Sequence, residues 1–173
     1  MSTMPSPSNS RRKKINRDAQ AASRQTTRQP EACRVLGIDT SLRSTGIGLV
    51  EWRGGHMHAV AYDVLRNPSG RPLSECLLHL QRGLTSAMEE CRPDVAAIEG
   101  LFYARFARTA LLLGHARGVA LVVCANAGIP VHEYEPRRVK QAVVGFGGAS
   151  KSQIQQMVVS QLRLESKPPE DAG

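Results

Sequence analysis

Two carboxylates, Asp39 and Glu99, each close a short apolar run of the sequence, residues 35–38 in one case and 95–98 in the other. Short apolar runs of this kind predict buried β-strands. If the two strands are neighbours, two negative charges lie close together, which is unfavourable unless a cation binds between them. Carboxylate oxygens prefer hard ions such as Mg²⁺. The pair therefore predicts metal-assisted chemistry, with phosphate esters as the first substrates to consider.

The elements that position these carboxylates follow from the spacing of apolar residues. Apolar runs predict strands, and apolar residues recurring every three or four positions predict helices, the first of them with Ser74 as its N-cap. Three strands joined by short turns predict an antiparallel meander. The later alternation of helices and strands predicts an α/β fold with a mixed five-stranded sheet and helices on both faces. The predicted strands are 34–39, 45–52, 58–65, 95–99 and 131–134, and the predicted helices are 73–91, 104–127, 136–144 and 151–164.

Charge divides the chain into two parts. Residues 1–33 hold seven basic and two acidic residues, which accounts for +5 of the net charge of +8. This segment is rich in Ser, Gln, Arg and Pro and has few large apolar side chains, so we expect a disordered basic tail before one folded domain, residues 34–173.

The same composition bears on location. The tail lacks the apolar core of a secretory signal, and the four cysteines of the chain show no CxxC pairing, so we expect a reducing, cytoplasmic setting; the Arg- and Ser-rich character of the tail leaves organellar import open. No stretch is expected to reach the roughly twenty apolar residues of a membrane span, so no membrane contact is predicted.

Five short motifs carry the interpretation further, and they occur in a fixed order along the chain. They are LGID (36–39) with Thr45 and Gly46, AIE (97–99) with Phe102, GHARGV (114–119), RVKQ (138–141) with Val144 and Gly145, and KSQIQ (151–155). Together these motifs resemble the RuvC family of bacterial Holliday-junction resolvases, over residues 34–173. The resemblance implies a ribonuclease-H-like fold and a homodimeric, Mg²⁺-dependent endonuclease that nicks two opposed strands of a four-way DNA junction symmetrically, in recombination and DNA repair.

The resemblance also implies roles for individual residues. Asp39, Glu99 and Asp171 match three of the family's four catalytic acidic positions, which hold two Mg²⁺ ions per active site, with Mn²⁺ as a possible substitute. The implied DNA contacts are made by basic and aromatic side chains. These are Lys140 and Lys151 near the scissile phosphate and Phe102 on the junction-facing loop. Two arginines on the first turns of the following helix, Arg105 and Arg108, are further candidates for holding the DNA backbone.

The fourth acidic position would fall three residues after Asp171, beyond Gly173. We therefore expect a last helix that is cut short, weak or no cleavage by this form, and a junction-binding module of impaired activity as the alternative function. A third interpretation takes Asp39 and the following turn as the phosphate loop of an actin-like ATPase, but such proteins need a second lobe that 173 residues cannot supply. The resemblance also suggests the RuvA–RuvB branch-migration complex as a partner.

Overall fold

The computed structural model describes residues 31–100 and 107–164. Within these ranges the predicted order of strands and helices is confirmed. Phe102, Arg105 and Asp171 lie outside the described residues. The elements are β1 (Ala32–Asp39), β2 (Ser44–Arg53), β3 (His56–Arg66), α1 (Leu73–Cys91), β4 (Val95–Glu99), α2 (Ala107–Asn126), β5 (Val131–Tyr134), α3 (Pro136–Val144) and α4 (Lys151–Leu162).

One five-stranded sheet contains all of these strands, in the order β3-β2-β1-β4-β5. The β1–β2 and β2–β3 pairs are antiparallel, whereas β1–β4 and β4–β5 are parallel. The predicted meander and mixed sheet are thus confirmed. The β2–β3 turn is made by Gly54 and Gly55, whose φ angles of 59° and 82° suit the left-handed turn that joins twisted hairpin strands.

The start of α1 differs from the prediction. Pro72 is the N-cap and makes no side-chain capping hydrogen bond, and the helix begins at Leu73. The fixed φ of proline, −54° here, sets the chain for helix entry, so Ser74 lies inside the first turn instead of capping it. The end of α1 is as expected, because Arg92 adopts a left-handed conformation before Pro93.

The main core lies on one face of the sheet. Alternate residues of β1, Leu36 and Ile38, point toward α1 and α2 and are 1% and 3% exposed. Small side chains in α2, such as Ala116 and Ala120, let the helix pack close to the sheet. Other members of this core are Ile47, Leu49, Leu80, Leu84, Ala87, Met88, Ala96, Ile98, Val123 and Cys124.

The opposite face of the sheet is covered by α3 and α4 and is packed less tightly. Among the described residues, α3 has no fully buried side chain and α4 has only Gln155. A cleft of about 370 Å³ remains between these helices and the sheet. Helices therefore lie on both faces, as predicted, but only one face has a dense core.

One helix corrects the expectation about membrane spans. By length and composition alone, the 20-residue α2 is apolar enough to cross a membrane. A core helix passes the same test, and α2 packs against α1 and contributes four buried side chains to the main core. The core therefore explains the apolar residues on the side of α2 that faces the sheet and α1.

Candidate active site

The register of two parallel strands brings Asp39 and Glu99 together. Gly37 lies beside Ala97 and Ile38 beside Ile98, so the next residues of β1 and β4 lie at the same level. Side chains alternate along a strand, and both carboxylates therefore point to the face covered by α3 and α4. Neighbouring strands are about 4.8 Å apart. The two carboxylates are side by side on one edge of the cleft, as the two apolar runs predicted.

The space beside Asp39 on its other side is left open. Its partner on β2 is Gly46, which has no side chain. The next pair toward the middle of the sheet, Gly37 and Gly48, likewise has none. Asp39 and Glu99 line the cleft together with Lys140 of α3. A phosphate or a cation could therefore approach the carboxylates without displacing a neighbouring side chain.

The electrostatics of Glu99 reflect this crowding. Partial burial in the cleft raises the pKa of its carboxyl group, and repulsion from Asp39 raises it further. The charge of Lys140 acts in the opposite direction and lowers the pKa. A carboxylate that is difficult to ionise beside another carboxylate is one whose charge a bound cation would stabilise.

The turn that follows Asp39 is held in shape by Thr45. This side chain is fully buried, and its hydroxyl oxygen accepts a hydrogen bond from the Ser41 amide at 3.1 Å while it donates to the Ser41 carbonyl oxygen. Asn67 fixes the turn from the end of β3, because its amide nitrogen donates to the carbonyl oxygen of Leu42 at 2.9 Å. Both residues keep the backbone beyond Asp39 in one conformation.

Arg117 holds the backbone of Glu99 in place. The interpretation of the sequence included it in the GHARGV motif but gave it no role of its own. It is only 8% exposed. Its Nη1 donates to the carbonyl oxygen of Glu99 at 2.7 Å, and its Nη2 contacts the carboxylate of Glu133 on β5 at 2.6 Å. The guanidinium thereby joins α2 to the ends of β4 and β5. The available signal was an isolated arginine in the middle of an apolar helix, which is costly to bury without partners.

The other predicted residues are distributed as follows. Lys140 lies near the carboxylates, as its effect on Glu99 shows. Lys151 is the first residue of α4, and Arg108 lies on the first turn of α2; both are exposed to solvent. The structure does not describe Phe102, Arg105 or Asp171.

The donor set fits a hard divalent ion. Two carboxylates at one level, the pKa of one raised by the other, would gain from a cation between them. Among residues 31–100 and 107–164 there is no group of three or more His, Cys, Asp or Glu side chains suited to a metal. The described part of the chain therefore supplies two candidate ligands, and Asp171 remains a prediction.

Known proteins match this chain over most of its length. The model of the RuvC family, "Crossover junction endodeoxyribonuclease RuvC", matches residues 35–173. The chain belongs to the RuvC family. It is 50% identical over 141 residues to the RuvC of Chloroflexus aurantiacus strain J-10-fl, covering 81% of this chain and 86% of that protein. It is 44% identical over 140 residues to the RuvC of Moorella thermoacetica, covering 80% and 84%.

Solved structures confirm the ribonuclease-H-like fold expected for the family. T. thermophilus RuvC in complex with Holliday junction substrate matches with a TM-score of 0.77 and 30% identity, over 81% of this chain and 86% of that one. The yeast mitochondrial Holliday junction resolvase Ydc2 matches with a TM-score of 0.57 over 76% of this chain and 62% of that one. At 14% identity, this second likeness concerns the fold alone.

Proposed function

We propose that this RuvC-family chain is an endonuclease that resolves Holliday junctions by nicking two opposed strands symmetrically. The observation that carries the proposal is the pair of aligned carboxylates, Asp39 and Glu99, at the edge of a cleft. Family membership favours this function over an actin-like ATPase, and the matching T. thermophilus RuvC is a complex with a Holliday junction substrate.

In this proposal Asp39, Glu99 and Asp171 hold two Mg²⁺ ions, for which Mn²⁺ can substitute. When bound, the ions would stabilise charge on the phosphate oxygens and lower the pKa of a water. Asp39 and Glu99 present their oxygens from fixed strand ends. Lys140 attracts the scissile phosphate into the cleft and offsets part of the negative charge there.

Basic side chains outside the cleft would hold the DNA backbone. Lys151 and Arg108 are exposed and can pair with phosphates without reading the sequence. Phe102 keeps the role that the resemblance to the family implies, and Arg105 remains a candidate for holding the DNA backbone. Because most of these contacts are to phosphates, junction affinity should fall steeply as the salt concentration rises.

The exposed side of α2 supports a homodimer. Leu111 and Val122 are 65% and 58% exposed, and Gly114 and Gly118 lie between them along the same stripe. An alanine at either glycine would have no described atom within 4 Å of its Cβ. Glycine inside a helix costs about 0.5–1 kcal/mol relative to alanine. Close approach of a second α2 would explain both glycines, and a two-fold dimer matches the symmetry of a four-way junction.

The function is tested with synthetic DNA. We expect the chain to bind a four-way junction more tightly than a linear duplex of the same sequence, and we expect its cleavage with Mg²⁺, weak in the 173-residue form, to fall at symmetric positions on two opposed strands. Binding is measured with EDTA present, so that it does not depend on cleavage. Binding without cleavage would support the junction-binding module instead, and equal affinity for duplex and junction would contradict both.

The dimer is tested by sedimentation. Leu111→Glu places a charge in the proposed interface and should convert the dimer to a monomer. Met57, an apolar residue 48% exposed on β3, provides the matched control, because Met57→Glu should leave the dimer intact. A dimer that survives Leu111→Glu would contradict the α2 interface. The proposed RuvA–RuvB contact is tested separately, by adding that complex to the junction-bound chain.

A further inference from the structure

The loop between α3 and α4 exposes a large aromatic side chain that the roles above do not use. Phe146 is 65% exposed, as much as any large apolar side chain in the described part of the protein. A single exposed apolar residue is ordinary. The conformation of its loop and the charges around it make this one informative.

The loop is fixed at both ends by helix caps. Gly145 ends α3 with a φ of 81°, and its amide donates to the Gln141 carbonyl oxygen at 2.8 Å. At the other end, Ser150 and Gln153 form a reciprocal capping box that starts α4. Between them Ala149, only 2% exposed, anchors the loop in the protein. Phe146 is therefore presented by a defined backbone, so little conformational entropy is lost when its ring binds something.

The two glycines that follow Phe146 leave room for its ring and for Arg137. A Cβ on Gly148 would lie 2.6 Å from Cζ of Phe146, so the tip of the ring rests directly over this residue. A Cβ on Gly147 would lie 2.6 Å from Cγ of Arg137, so the loop folds back onto the first turn of α3. The loop that carries the ring therefore packs against the residue that carries the guanidinium.

The helices on either side of the loop carry basic residues close to it. Arg137 is exposed and lies three residues before Lys140 on α3, which makes them neighbours on one helix surface. Lys151 begins α4 directly after the capping serine. The loop itself, residues 145–150, has no charged residue. An exposed ring among cations is the arrangement with which proteins bind unpaired nucleotides, since the cations hold the phosphates while the ring stacks on a base.

We propose that Phe146 stacks on a nucleotide that is unpaired at or beside the crossover of the junction. Phe146 lies far from Phe102 in the sequence, so the chain would hold the branched DNA with two separate aromatic contacts. Arg137 and Lys151 fix the phosphates on either side of the stacked nucleotide. This role for Phe146 rests on the proposed junction-resolving function.

The test is junction binding in EDTA by three variants of the chain. Phe146→Ala should weaken binding about tenfold, which corresponds to about 1.4 kcal/mol, while linear duplex binding should change less than twofold. Phe146→Trp should restore the affinity. Gly148→Ala keeps the ring but forces it from its place, and it should weaken junction binding as well. Met57→Ala is the control for loss of an exposed apolar side chain, and thermal unfolding checks that each variant is folded.

A spectroscopic measurement separates stacking from simple contact. With 2-aminopurine in place of a base beside the branch point, the wild-type chain should change the emission and Phe146→Ala should not. If Phe146→Ala binds the junction like wild type, the stacking role is overturned. If the substitution also alters the sedimentation of the free protein, Phe146 contacts another protein surface instead. If the wild-type chain shows no preference for the junction, the proposed function fails first, and this inference with it.

Discussion

Glu51 and Glu99 are glutamates at opposite ends of the same sheet, and their surroundings differ completely. One carboxylate oxygen of Glu51, on β2, accepts from Nε of Arg34 at 3.3 Å and from Nη2 of Arg53 at 3.1 Å. The side chain of Glu51 is 14% exposed. Glu99, at the end of β4, has a second carboxylate as its neighbour, and its pKa is raised as a result of burial and of that neighbour.

The difference shows how one residue type serves stability at one end and chemistry at the other. The negative charge of Glu51 is already balanced by the chain itself. At the other end the charge of Lys140 acts on Glu99 against the repulsion from Asp39, and a cation bound between the two carboxylates would stabilise both. A change at the Asp39–Glu99 end should therefore reduce cleavage, whereas loss of the Glu51 carboxylate should reduce stability and leave cleavage normal.

The largest effect is expected at Asp39. Asp39→Asn should reduce junction cleavage at least about a hundredfold, since loss of a direct ligand should exceed the tenfold to hundredfold cost of losing an outer partner. Junction binding in EDTA should remain. Glu51→Gln is the counterpart at the other end and should cut normally. Both are measured by single-turnover cleavage, and an active Asp39→Asn would exclude this site as the metal centre.

The next largest effect is expected at Arg117, which joins α2 to the strand end that carries Glu99. Arg117→Met keeps the volume but leaves the Glu99 carbonyl oxygen without its donor, so we expect a loss of about 1–3 kcal/mol in the free energy of unfolding. The affinity for divalent ions should also fall, by roughly tenfold or more, because Glu99 is no longer held in place. Denaturant unfolding and calorimetric Mg²⁺ titration measure the two effects.

The matched control for Arg117 is Arg34→Met at the opposite end of the sheet. Like Arg117, Arg34 donates to one glutamate and to one backbone carbonyl oxygen. The glutamate is Glu51 and the carbonyl oxygen is that of Cys91. The Arg34→Met change should lower stability without changing the ion affinity. Equal losses of ion affinity in the two variants would mean that Arg117 acts only through general stability.

A smaller effect is expected at Glu51 itself. Its arginine partners are partly exposed, with 39% and 65% of their side chains accessible, so water and salt weaken the ion pairs. Glu51→Gln should reduce the free energy of unfolding by about 0.5–1 kcal/mol, and less at high salt. Urea unfolding at two salt concentrations tests this; a loss independent of salt would point to packing instead.

The smallest expected effect is a gain in stability, and it concerns Glu99 in the metal-free protein. Because its pKa is raised in the folded state, that state binds more protons than the unfolded chain between the usual glutamate pKa and the raised one. The stability of the metal-free protein therefore falls as the pH rises through this window. Glu99→Gln removes the fall, and at pH 7 in EDTA its Tm should be about 1–3 °C higher than wild type. A lower Tm at pH 7 would show that the ionised Glu99 is stabilised in the fold.

Much of this arrangement could be predicted from the sequence. The apolar runs before Asp39 and Glu99 located β1 and β4, and the short turns between the first three strands located the meander. Ser74 was misplaced because a cap depends on where the backbone enters the helix, which Pro72 decides. The partners of Arg117 could not be predicted, because they come from two strands that only the folded sheet brings to α2.

The exposure of individual apolar side chains also could not be predicted from the sequence. Leu111 and Val123 are both apolar residues of α2, yet one is 65% exposed and the other 3%. In a helix that is apolar on all sides, periodicity does not distinguish the face toward the core from the face toward a partner. Phe146 was missed for a similar reason, since a phenylalanine in a glycine-rich loop gives no indication of which way its ring points.

The parallel pairing of β1 with β4 also has a consequence for the order of folding. The meander of β1, β2 and β3 is local, but β1 meets β4 only after the chain has passed through β3 and α1. Such long-range pairing forms late, because the entropy of closing the loop must be overcome first. We therefore expect Asp39 and Glu99 to come together late in folding. Until β1 has joined β4, a newly made chain would lack the paired carboxylates of its candidate active site.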